Sequence, residues 1–167
     1  TYLFDDIPWE EAYMELEEHG QALNKGLVIT ADDTVSVYCA NTARYSFDAS
    51  YVLPAPALAD DYIIQTYDQH IPNSFLPSEY DRYYTSSFLI VATEEGETIV
   101  DIIPKVGTLD GKPAGQTFSI TLQQGQVYQV RSTNNSYSSA GRDLSGSRVT
   151  AHDCKKIAVF NGNTLTT

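Results

Sequence analysis

From residue 27 onward, short runs of alternating apolar and polar residues, enriched in β-branched and aromatic types, dominate the chain. Alternation with period two is the pattern of half-buried antiparallel strands. Residues 117–122 put Phe118, Ile120 and Leu122 on one face and three hydroxyls on the other, because successive strand side chains point to opposite sides. Gln124-Gly125 reads as a turn and residues 126–132 as the return strand with Tyr128 and Val130 inward, which predicts a hairpin. A second hairpin is expected from residues 87–93 through Glu95-Gly96 into residues 98–103, where Pro104 ends it and Gly96 supplies the positive φ of a tight turn. Phe88 and Ile90 join the inward set, and Asp101 points outward between Val100 and Ile102. Further strands are expected over residues 27–30, 34–39, 62–67, 148–150 and 156–160. One helix is expected over residues 7–19, with Asp6 as cap, Pro8 in the first turn, Glu10 and Glu11 at the positive end and Gly20 closing it.

These elements read as an all-β, antiparallel sandwich-like module over residues 27–167, preceded by a short helical or otherwise ordered appendage over residues 1–26. At 167 residues and 42% hydrophobic the chain can bury one substantial core. Its net charge of -12 repels phosphate backbones and anionic lipid surfaces, which argues against nucleic acid as a partner. The longest apolar runs, such as residues 88–92, fall far short of the ~20 residues of a membrane helix, so membrane insertion is not expected. The chain opens at Thr1 without a charged and apolar leader, as a mature or excised segment would.

Two stretches, residues 68–86 and 132–147, are too long for plain connections, and loops of that length are usually functional or mobile. The first ends in Tyr80, Arg82, Tyr83 and Tyr84. Tyrosine offers large, rigid contact area with a polar tip, and Tyr and Arg are enriched at binding hot spots. These four residues are the candidate recognition set, although a loop that folds its own aromatics onto the sheet has the same composition. Tyr62, Tyr67 and Tyr128 fall in strand patterns and are expected as core or cross-strand partners.

No catalytic or metal site emerges, and no cofactor is expected. In His152-Asp153-Cys154 neighbouring side chains of an extended segment diverge, so a turn between strands is expected rather than a Cys–His pair. The doublets Asp5-Asp6, Asp32-Asp33 and Asp60-Asp61 lack the spacing of a calcium loop and suit turns and caps. Cys39 and Cys154, without metal or redox spacing, are either paired in a disulfide or both free.

The chain also carries a weak internal repeat. Val28-Ile29-Thr30-Ala31-Asp32-Asp33, then Val35-Ser36-Val37-Tyr38 and Asn41, returns as Arg148-Val149-Thr150-Ala151-His152-Asp153, then Ile157-Ala158-Val159-Phe160 and Asn163. The chain would then hold the last strands of one unit and most of the next.

The segment from Ile29 to Tyr38, then Val52-Leu53-Pro54 with Asp61-Tyr62-Ile63-Ile64, then Phe88-Leu89-Ile90-Val91-Ala92-Thr93, Gly125-Gln126-Val127-Tyr128-Gln129-Val130, Asp143-Leu144-Ser145-Gly146-Ser147-Arg148-Val149 and Ala158-Val159-Phe160-Asn161-Gly162-Asn163 follow one another in an order that resembles the IgG Fc-binding protein N-terminal domain family. The resemblance runs over residues 27–163. It implies an all-β module displayed at the cell surface or secreted, adhesion-like and non-catalytic. The partner it implies is an extracellular protein or glycan, with mucin and immunoglobulin among the candidates. A structural spacer without its own ligand is the second expectation, and a glycan-active enzyme or its accessory domain a distant third, since no carboxylate pair can be placed across a cleft from these spacings.

Overall fold

The computed structural model describes residues 18–43, 46–67, 85–133 and 143–163. Ten strands follow in chain order: β1 (Ala22–Leu23), β2 (Val37–Ala43), β3 (Ser46–Val52), β4 (Asp61–Ile63), β5 (Ser86–Ala92), β6 (Thr98–Ile103), β7 (Phe118–Leu122), β8 (Val127–Arg131), β9 (Arg148–Ala151) and β10 (Ile157–Asn163). No α-helix occurs among the described residues, only two 3-10 turns, Ala55–Ala57 and His152–Cys154. The helix expected over residues 7–19 lies outside the described residues except for Glu18 and His19, which are not helical.

Two antiparallel four-stranded sheets, ordered β1-β8-β5-β10 and β4-β9-β6-β7, pack face to face as a sandwich. Phe88, Ile90 and Ala92 of β5, Tyr128 and Val130 of β8 and Ile157 of β10 meet Val100 and Ile102 of β6, Leu122 of β7 and Val149 and Ala151 of β9. Every one of these strands contributes alternate residues, which is why the two-residue period was visible in the sequence. Asp101 points outward as expected, accepting a 2.6 Å bond from Ser119 Oγ across the β6–β7 pair. Phe118 and Ile120 of β7, at the sheet edge, are only half-buried against this core.

Both expected hairpins are corrected by the topology. β7 pairs with β6 while β8 pairs with β5, and β5 and β6 belong to opposite sheets, so each connection crosses from sheet to sheet. Alternation places the inward faces rightly but cannot tell strands that pair side by side from strands that face each other across the core. What decides is bonding at the turns. Gly125, at φ 79°, donates its N–H to Ala92 O at 2.8 Å, and Ala92 N–H donates to Gln126 O at 3.1 Å, which delivers the chain onto β5 instead of back along β7. The β5–β6 crossing is held from the β9–β10 connection. Lys155 Nζ donates to the carbonyls of Glu95 and Glu97 at 2.7 Å each, and Thr93 Oγ1 donates to Lys156 O at 2.6 Å.

Thr98, at the start of β6, is fully buried and its hydroxyl has no hydrogen-bond partner among the described residues. A buried unmet hydroxyl costs about 1–3 kcal/mol. Thr98→Val, which keeps the shape and removes the donor, should therefore raise the melting temperature; a lowered value would contradict the placement.

Residues 59–64 stitch the corner of the sandwich. Ala59 bridges Ile157 of the first sheet, β4 pairs with β9 of the second, and the half-buried Tyr62 donates its hydroxyl to Ile157 O at 2.9 Å while accepting Ala59 N–H. Tyr62 and Tyr128 thus fill the core roles expected of them. Tyr67 does not: it is exposed.

β2 and β3 form a separate two-stranded ribbon that pairs with neither sheet, with Tyr38 and Tyr51 in edge-to-face contact at 5.5 Å between ring centres. Residues 27–30, expected as a strand, are irregular and exposed. Cys39 stands on this ribbon and Cys154 in the turn between β9 and β10, and both are free and exposed in this structure. A thiol reagent applied to the native protein should label both positions, and a single uptake or none would contradict their exposure.

Candidate functional site

The two ends of the sandwich are built differently. At one end, β5 passes to β6, β7 to β8 and β9 to β10 through connections confined to residues 93–97, 123–126 and 152–156. At the other end β4 is followed by residues 64–85, β6 by 104–117 and β8 by 132–147, and β10 finishes there. All three long connections that follow β4 therefore spring from one end, while residues 24–60, which join β1 to β4 and carry the β2–β3 ribbon, leave and return at the other. That asymmetry follows from the antiparallel arrangement, in which each crossing at the short end returns the chain to the other.

The roots of these connections are fastened by hydrogen bonds among small polar side chains, most of them part-buried. Asp143 Oδ1 accepts Thr66 Oγ1 at 2.6 Å and the Ser145 N–H at 2.8 Å. Ser145 Oγ donates to Thr66 O at 2.8 Å and accepts the Thr66 N–H at 2.9 Å. The start of the 68–84 segment is thereby tied to the end of the 134–142 segment. On the other side, Ser86 Oγ accepts the Leu144 N–H at 3.1 Å, Ser86 O accepts the Ser132 N–H at 3.0 Å, and Arg131 Nε donates to Thr85 Oγ1 at 3.0 Å. Asn163 clasps Tyr67, taking its N–H at 3.1 Å and donating to its carbonyl at 2.6 Å. Leu144, fully buried, anchors the assembly in the core.

This girdle perturbs its own ionisable groups. Burial alone would push the Asp143 carboxyl up, but the Thr66 and Ser145 donors prevail and hold it below the usual carboxylate value. Burial pulls the half-buried Arg131 guanidinium down. Elsewhere on β8, burial and the neighbouring Asp110 carboxylate push the Tyr128 phenol up to about 12.

A group whose pKa is lower folded than unfolded stabilises the fold above the unfolded value, and that contribution is lost as pH falls through the folded value. Asp143 therefore supports the loop roots at neutral pH and ceases to do so in acid. Asp143→Ala should cost about 1–3 kcal/mol at pH 7, the range for a charged hydrogen-bond acceptor, and its melting temperature should fall less than the parent's between pH 5 and pH 2, a window spanning the ordinary carboxylate range. Parallel curves would contradict the role.

Tyr80, Arg82, Tyr83 and Tyr84 lie outside the described residues, so only the flanks of their segment are located: exposed Tyr67 and buried Thr85, both at the long-loop end. Sequence reasoning missed the residues that fasten that end. Thr66 sits in a stretch read as strand, and Asp143, Leu144 and Ser145 sit in the long stretch 132–147 and in a motif of the family resemblance, without a role being assigned to any of them.

The other chemistry is structural. His152 Nε2 lies 2.9 Å from Asp101 Oδ2, away from any pairing with Cys154. The expected turn is present there, tight enough to hold Asp153 at φ 56° and Cys154 at φ 55°. Asp101 is held below its ordinary pKa first by the Ser119 hydroxyl and then by His152. Arg148 forks onto Asp61 at 3.0 and 2.8 Å, and this bond, with Thr150, lowers the Asp61 pKa. No group of three His, Cys, Asp or Glu suited to a metal ion occurs among the described residues.

The IgGFc binding protein family model matches residues 48–167. The chain belongs to the IgGFc binding protein family. Membership implies a binding module and agrees with the resemblance seen in the sequence, although the match begins within β3 and leaves out residues 27–47, which that resemblance included. No curated protein and no solved structure matches the chain. In the IgGFc binding family module the match embraces both sheets apart from β1, the whole Thr66–Asp143–Ser145 girdle and the segment that carries Tyr80, Arg82, Tyr83 and Tyr84.

Proposed function

We propose that this chain is an extracellular, non-catalytic binding module that recognises a protein or a glycan through the long-loop end of the sandwich. The observation that carries the reading is the gathering of the three long connections that follow β4, β6 and β8 at one end, on a girdle of fixed bonds. Rigid roots lower the entropy that binding loops lose on contact, so a sandwich can present them as a preorganised surface. Tyr80, Arg82, Tyr83 and Tyr84 would supply contact area and charge there, with Tyr67 and Arg131 at the flanks. A net charge of -12 favours partners that are neutral or basic where they touch. Family membership makes immunoglobulin Fc the first partner to test and mucin glycans the second.

Immobilised chain should retain immunoglobulin from serum or mucin from mucus, and a glycan array separates the two. Retention no greater than on an unrelated sandwich of the same charge would contradict the reading. A spacer role is favoured by one observation, the internal repeat, because tandem units commonly hold other domains at a distance; it is the reading left standing if nothing binds.

A further inference from the structure

The two copies of the internal repeat occupy opposite environments. In the second copy, residues 148–163 are β9, the tight turn and β10, and they close the sandwich by pairing with β4, β6 and β5. Val149 and Ile157 are there 0% exposed. In the first copy the equivalent residues, Ile29 and Val35, are 48% and 55% exposed. Ala31, opposite the buried Ala151, is also exposed, and so is Tyr38, opposite the half-buried Phe160. One sequence pattern thus serves as core in one place and stands in solvent in the other.

Three further observations bear on the first copy. The chain is fixed to this sandwich as far as Gly26, whose N–H donates to Gly125 O at 2.9 Å, and an added Cβ there would lie 2.3 Å from that oxygen. From Leu27 it leaves. Upstream the likeness to the second copy ends, because Asn24 falls opposite the buried anchor Leu144. The β2–β3 ribbon, whose first strand holds residues 37–41 of this copy, has no third strand among the described residues, and a lone two-stranded ribbon is marginal in water unless an apolar face is covered. Finally, the family match takes in β9 and β10 but not residues 28–41.

We propose that residues 28–41 are the closing strand pair of a second sandwich unit of this same kind, one lying N-terminal to Leu27 in a tandem array, and that the exposed face carrying Ile29 and Val35 is the surface on which that unit seats. The occupant is specified by the motif itself: strands equivalent to β4, β5 and β6, presenting the apolar inner face that Val149 and Ile157 meet here. Successive units would then share their boundary, each supplying its closing pair from the segment that opens the next, while β1 pins the junction to β8. The binding reading above is independent of this and survives its failure.

A chimera of the full chain, in which residues 148–163 are replaced by residues 28–41, tests the proposal. It should unfold in one cooperative thermal transition with slowly exchanging amides in the transplanted strands, and a chimera carrying the same residues in scrambled order should show neither. In the unaltered chain, Ile29→Asp with Val35→Asp should leave the melting temperature within about 2 °C, as exposed changes do; the same two changes inside the transplant should abolish its transition. A chimera no better folded than its scrambled control overturns the proposal. So does a large loss of melting temperature in the unaltered chain, because the two residues would then belong to its own core. Self-association of the chain that the two changes dissolve also overturns it, by making a second copy the occupant.

Discussion

Phe88→Ala should destabilise the protein by about 3–5 kcal/mol, the range for truncating a buried aromatic side chain. Phe88 is the largest fully buried side chain among the described residues, sits near the start of the central strand β5 between Val130 on β8 and Asn161 on β10, and projects into the gap between the sheets. β5 and its neighbour β8 are each paired on both sides, so little relaxation into the void is available. Against a total stability of about 5–15 kcal/mol for an ordinary domain, the loss leaves a variant close to the threshold of unfolding. Ile120→Ala, on the edge strand β7 and only half-buried, should cost no more than about half as much. Denaturant unfolding of both variants measures the difference. Equal losses would contradict the position of β7 at the rim of the second sheet.

That contrast marks how far the fold was legible. The inward sets, Phe88, Ile90, Leu122, Tyr128 and Val130, were readable because burial of one sheet face imprints a two-residue period on each strand. Pairing was not, because the same parity fits a hairpin and a crossing between sheets. Backbone bonds at Ala92, Gly125 and Gln126, together with Lys155 reaching from a distant connection, choose the crossing, and none of these leaves a mark on hydrophobicity. Exposure of Tyr67 was hidden for a related reason. Its strand stops at Ile63, and the residues after it are held by Ser145, Asp143 and Asn163, whose bonds to them span 77 to 96 residues of chain. Local pattern carries no record of such partners. Family membership, by contrast, was legible, since it rests on the order of several short motifs and not on how strands pair.

The candidate site was half legible. Length and composition singled out residues 68–86 and the cluster Tyr80, Arg82, Tyr83 and Tyr84, and the structure adds that the segment's flanks, Thr66 and Tyr67 on one side and Thr85 and Ser86 on the other, stand at the end from which the connections after β4, β6 and β8 spring. The polar girdle under them could not be foreseen, because serine, threonine and aspartate in a loop look alike whether they face water or each other. Its existence sharpens what is expected of the tyrosines. With roots fixed independently of them, their removal should leave the sandwich intact and act on affinity.

The most direct measurement is a triple change, Tyr80→Ser, Tyr83→Ser and Tyr84→Ser, with melting temperature and affinity for the captured partner determined on the same preparation. Hot-spot truncation costs 2 kcal/mol or more, so a loss of about 30-fold or greater in affinity is expected with little change in melting temperature. Unchanged affinity in a variant that melts like the parent would contradict recognition through the long-loop end, and a lowered melting temperature with affinity intact would show the tyrosines covering the sheet instead.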